Sequence, residues 1–82
     1  SLELSKKALD QAKAINNKTL VAQAYNMIGL NFDEFYDPVK GLKYYLRGLK
    51  YAEKSKNDTV QIWLCNNIGN FYSYRKNDFK NS

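Results

Sequence analysis

The chain has 82 residues, 44% of them hydrophobic and 26% charged, with a formal net charge of +5. That length holds at most one small domain with a modest core, and no apolar stretch reaches the roughly 20 residues that span a bilayer. With no histidine and one cysteine, Cys65, the sequence lacks the commonest general base, a Cys–His nucleophile pair, a zinc ligand set and an internal disulfide.

The first apolar stripe, Leu2, Leu9 and Ala12 with Ser5 and Ala8 between, predicts a helix over about 2–16. Ala24, Tyr25, Ile28 and Phe32 predict a second over about 19–34. Asp37-Pro38 reads as an oxygen-bearing N-cap followed by a proline at the first helical position, where its missing N–H is harmless. The third helix, about 38–56, carries Leu42, Tyr45, Leu46, Leu49 and Ala52 on one face. Leu64, Cys65, Ile68 and Tyr72 predict a fourth over about 59–75, with Asp58 and Gln61 in capping-box spacing. Asn17 and Asn57 follow lysine-bearing helix ends and are expected as left-handed C-terminal caps. Asn77-Asp78 repeats the Asp37-Pro38 position and predicts a fifth helix beginning near 78.

These elements repeat. Displaced by 40 residues, Leu2 falls on Leu42, Leu9 on Leu49, Ala12 on Ala52, Asn17 on Asn57 and Thr19 on Thr59. Asn26 then falls on Asn66, Ile28 on Ile68, Gly29 on Gly69 and Lys40 on Lys80. Ala8 matches Gly48 in size, and Phe32 matches Tyr72. A fixed period in this range is the signature of stacked supersecondary units that cannot bury their apolar faces singly.

The spacing within each unit resembles the tetratricopeptide repeat. Tyr25-x2-Ile28-Gly29-x2-Phe32 is similar to the first helix of that motif, and Cys65-x2-Ile68-Gly69-x2-Tyr72 repeats it with Cys for the aromatic. Gly41-x3-Tyr45-x2-Gly48 is similar to the second helix, and Ser1-x3-Ser5-x2-Ala8 keeps its small positions. Two departures are the period of 40, where the family usually has about 34, and Glu53 where a proline normally closes the second helix. These match the longer subclass found in kinesin light chains and in bacterial signalling and regulatory proteins. HEAT-like repeats share the period but lack the small–aromatic–small spacing. The resemblance implies an all-α superhelical solenoid of antiparallel helix pairs. Residues 1–17 would be the second helix of one repeat, 18–57 a complete repeat, and 58–82 the first helix and the start of the second helix of the next. This phase, with no initiator methionine, leads to the expectation of a segment from a longer array with uncapped ends.

The resemblance also implies a non-catalytic protein–protein interaction module with no cofactor and no metal. In the family the first helices line a concave groove. Carried over by position, the groove would present Gln23, Asn26, Leu30, Asp33 and Glu34 from one repeat and Trp63, Asn66, Asn70, Ser73 and Tyr74 from the next. A carboxamide offers two donors and an acceptor, enough to pair with a peptide backbone whatever its side chains. Asn26 and Asn66 are therefore the sharpest candidates, though an Asn at such a place also serves to bond the neighbouring helix, and the sequence leaves both roles open. Trp63 and Tyr74 are of the type enriched at binding hot spots, and inter-repeat packing is an equal use for Trp63.

Elsewhere the expectations are structural. Cys65 at the position of Tyr25 is expected to be a buried small hydrophobe, and Gly69, like Gly29, a point of close helix packing. Lys43, Arg47, Lys50 and Lys54 are expected on a solvated convex surface. The acids Asp33, Glu34 and Asp37 lack the loop spacing of a calcium site. The cations are interleaved with acids along the chain and not gathered in a block, which argues against nucleic acid as the partner. The alternatives kept are a single-stranded RNA reader, by analogy with pentatricopeptide repeats, and a structural spacer that self-associates through its ends. A lone cysteine and the lack of an apolar N-terminal run lead to an expected cytoplasmic location, without a membrane.

Overall fold

The structure, a computed structural model, describes the backbone of residues 1–81 and the side chains of residues 1–73. It is all-α, with no strand among the described residues. The helices run in the order α1 (Leu2–Ala14), α2 (Lys18–Phe35), α3 (Pro38–Ser55) and α4 (Asp58–Asn81). Each helix packs on the next, and α2 also touches α4. No helix among the described residues is long and apolar enough to cross a membrane.

The helix starts follow from side-chain oxygens that satisfy free backbone donors. Ser1 Oγ accepts from Leu4 N at 3.3 Å. Asp37 Oδ1 accepts from Val39 N at 3.0 Å and Lys40 N at 3.4 Å, and Pro38 opens α3 as the sequence predicts. Asn17 and Asn57 depart from expectation. Both cap the helix that follows: Asn17 Oδ1 accepts from Leu20 N at 3.1 Å, and Asn57 Oδ1 from Val60 N at 3.0 Å. The left-handed turn falls one residue earlier, on Asn16 (φ 56) and Lys56 (φ 58). The Asp58/Gln61 box does not form, because Asn57 takes the capping position and the Gln61 amide donates to the Ala52 carbonyl at 3.3 Å.

A second correction concerns the end of α4, which runs unbroken through Asn77-Asp78 to Asn81, so no fifth helix starts near 78. Asn77-Asp78 has no proline to break the ladder, and Asn and Asp inside a helix cost only about 0.7 kcal/mol each or less relative to Ala. Glu53 is likewise compatible with a continuing helix, and α3 extends to Ser55.

The core lies around Tyr45, whose side chain is 0% exposed. It clusters with Ala22, Ala52, Val60 and Leu64, drawn from α2, α3 and α4. Full burial of side chains such as Val60 and Leu64 contributes roughly 1.5–3 kcal/mol each. The close approach of α2 and α3 depends on missing side chains. A Cβ on Gly29 would lie 2.6 Å from the Tyr45 ring, and one on Gly41 2.7 Å from the Gly29 carbonyl oxygen. A second cluster of Ala12, Val21 and Tyr25 joins α1 to α2. Above it runs a band of rings: Tyr25 lies 6.2 Å from Tyr44 and 5.7 Å from Tyr51, and Phe32 stacks on Tyr44 at 5.2 Å.

Candidate interaction surface

The expected binding residues lie on α2 and α4, which share the Ala22–Val60–Leu64 cluster and, among the described residues, one side-chain hydrogen bond. Asn67 Nδ2 donates to Asn26 Oδ1 at 2.6 Å. Asn26 is only 9% exposed, so its carbonyl oxygen holds the adjacent helix. Asn66, its repeat equivalent, is exposed and makes no hydrogen bond among the described residues. The two asparagines therefore do different work, and the inter-helix partner is Asn67, one position beyond the repeat identity.

The remaining α2 candidates are partly committed to packing. Leu30 packs against the core, and Asp33 Oδ2 accepts from the Tyr45 hydroxyl at 3.3 Å. Burial, then the charge of Asp33, its hydrogen bond and the charge of Glu34, hold that hydroxyl's pKa well above the ordinary phenol range. Gln23 is half-buried and Glu34 exposed.

On α4 the situation reverses. Trp63 is 48% exposed, and Asn66, Asn70 and Ser73 are exposed. Their spacing of three, four and three residues sets them on one face of the helix. Tyr74 lies outside the residues whose side chains are described.

Two expectations on α4 are corrected. Cys65 is exposed, and among the described residues a Cβ on Gly69 would meet nothing within 4 Å. The reason is the same for both: α3 covers Tyr25 and Gly29 on α2, and among the described residues no helix stands in that relation to α4. The basic stripe of α3 is exposed, as expected, and two of its members lie over rings. The Arg47 guanidinium carbon is 5.2 Å from the Tyr44 centroid, and Lys54 Nζ is 5.9 Å from that of Tyr51.

Two hollows flank this arrangement. A trough of about 520 Å³ between α1 and α2 is lined by residues including Ala8, Ala12, Leu20, Ala24 and Met27. A shallower one on α4 is formed by Asp58, Gln61, Ile62, Cys65 and Asn66. Sequence reading had not marked the trough, because alanines scattered over two helices carry no motif. Comparison with protein-family models, with curated proteins and with solved structures finds no match to this chain.

Proposed function

We propose that the chain is a non-catalytic protein-interaction module of the tetratricopeptide type, taking a peptide or partner helix across the exposed face of α4 beside α2. We place it in a larger bacterial signalling or regulatory protein of the cytoplasm, on the strength of the repeat resemblance alone. The observation that carries the binding role is the stripe Trp63, Asn66, Asn70 and Ser73, whose polar groups are exposed and make no hydrogen bond among the described residues. An indole beside free carboxamides combines an apolar anchor with donors and acceptors for a polypeptide backbone. Nothing in this chemistry selects one partner side chain, which suits recognition of an extended segment.

The test is selection of ligands from a random peptide library, followed by calorimetry on Trp63→Ala and on the double variant Asn66→Ala, Asn70→Ala. The affinity should fall at least tenfold in each, about 1.4 kcal/mol, with melting unchanged in the double asparagine variant because those two side chains are exposed. Full-strength binding by both variants would move the site off α4.

A further inference from the structure

Along the sequence the cations alternate with acids, but in the fold α3 gathers them. Lys40, Lys43, Arg47, Lys50 and Lys54 recur every three or four residues, so they share one face of the helix, and all are exposed. From Lys40 to Lys54 the stripe runs about 21 Å at the rise of an α-helix. The acid within α3 is Glu53, which helical spacing sets with Leu42, Leu46 and Leu49 on another side. Among the described residues no acid pairs with any cation of the stripe. Lys43 and Arg47, like Lys50 and Lys54, therefore repel each other at i, i+4 spacing.

The fold does not require this arrangement. Forty residues earlier, Lys43, Arg47, Lys50 and Lys54 become Glu3, Lys7, Asp10 and Ala14 on α1, equally exposed but of mixed sign. Glu3 and Lys7 stand at the spacing and order that support a solvated helix. On α3 that support is replaced by uniform positive charge.

The cations are also held in place. Lys40 Nζ lies 5.6 Å from the Phe32 centroid, and Lys13 of α1 lies 5.8 Å from that of Tyr25. With Arg47 over Tyr44 and Lys54 over Tyr51, four cations rest on the connected band of Phe32, Tyr44, Tyr25 and Tyr51. Side chains already restrained lose less freedom when an anion arrives.

We infer that this face of α3, with Lys13 beside it, docks an acidic helix of a partner polypeptide. The partner's carboxylates recur at the same three- and four-residue spacing, so that opposite charges meet along about four turns. Single-stranded nucleic acid fits less well, because it stacks bases on bare aromatic faces. None of these four rings is exposed, and each lies under a cation. Exposed acids also bound the stripe, Glu34 and Asp37 before Lys40 and Asp58 beyond Lys54. They favour a segment of limited length over a long polyanion or an anionic bilayer. The inference involves no residue of the α4 stripe and stands without the peptide-binding proposal.

The experiment is fluorescence anisotropy of the full chain with a labelled alanine-rich helical peptide, its glutamates striped at alternating three- and four-residue spacing. A peptide of the same composition with glutamates spread round the helix, and a DNA duplex, are compared with it in about 50 mM salt. The striped peptide should bind at least about tenfold more tightly than either. The double variant Lys43→Glu, Lys50→Asp gives α3 the charges of α1. It should lose at least about tenfold in affinity, with melting no lower than the parent's, because like-charged neighbours become opposite ones. Lys7→Glu with Lys18→Asp changes the net charge equally and should lose less than about threefold, and Trp63→Ala should lose nothing. Equal binding of the two peptides, or a tighter hold on the duplex, would overturn the inference. So would a striped peptide that does not bind, equal losses in the two double variants, or a loss with Trp63→Ala as large as that on α3.

Discussion

Tyr25, Asn26 and Gly29 on α2 hold the same places in the repeat as Cys65, Asn66 and Gly69 on α4, yet their surroundings are opposite. The first three are buried and the last three exposed. Tyr25 packs among Ala12, Val21, Tyr44 and Tyr51, whereas Cys65 lies on the rim of an open hollow. Gly29 is pressed against Tyr45 and Gly41, whereas a Cβ on Gly69 would meet nothing within 4 Å among the described residues. Burial is a property of the helix that comes to lie on a face, and a repeated spacing makes the face without supplying the neighbour.

The largest expected difference between the halves lies at the ring and the thiol. Tyr25→Ala removes a side chain that joins α1, α2 and α3, and should cost about 3–5 kcal/mol, as large aromatic truncations do. That is comparable with the whole stability of many small domains. Cys65→Ala should change stability by no more than about 0.5 kcal/mol. Urea midpoints of the two variants, measured at low protein concentration, check both values. Equal losses would mean that α4 is covered where it is described as bare.

The asparagines should separate next. Asn26→Ala leaves the Asn67 amide facing a nearly closed contact without its acceptor and should cost about 1–3 kcal/mol. Asn66→Ala should leave thermal unfolding within about 0.5 kcal/mol of the parent. If the replacement at Asn66 proved the more damaging, the pairing of α2 with α4 through Asn67 would be refuted.

A smaller effect sharpens the contrast by pH. The folded state keeps the Tyr45 proton well above the ordinary range, through burial first and then Asp33 and Glu34. In the unfolded chain a tyrosine loses its proton near pH 10, so deprotonation favours unfolding from about pH 10 upward, until the folded-state group also titrates. The contribution is therefore fully present at neutral pH and lost in alkali. Denaturation midpoints above about pH 10 should fall less steeply in Tyr45→Phe than in the parent, and identical slopes would remove Tyr45 from the account.

Much of the architecture was legible before any coordinates. Four helices follow from the apolar spacing, and the start of α3 from Asp37-Pro38, because that pair has one physical use. Asn17 and Asn57 misled since the same side chain suits a left-handed turn and a forward cap, and only the chain path decides between them. The surface was less legible. Repeat identity pointed to Asn66 as the counterpart of Asn26, but the side chain that reaches Asn26 is Asn67, and register across two helices is a tertiary fact. Cys65 and Gly69 were expected inside because their equivalents are, and sequence equivalence says nothing of who stands opposite.

The account rests on two like-built faces, one closed by α3 and one open, and the glycines report on it most directly. Alanine gains about 1 kcal/mol over glycine in a helix interior when nothing opposes its methyl group. Gly69→Ala should therefore raise the melting temperature of the dilute chain. Gly29→Ala should lower it, since its methyl would meet the Tyr45 ring at 2.6 Å and the Gly41 carbonyl oxygen at 3.0 Å, and overpacking of this kind costs about 1–3 kcal/mol. Shifts of opposite sign are the predicted result. Shifts of the same sign and size would contradict the account.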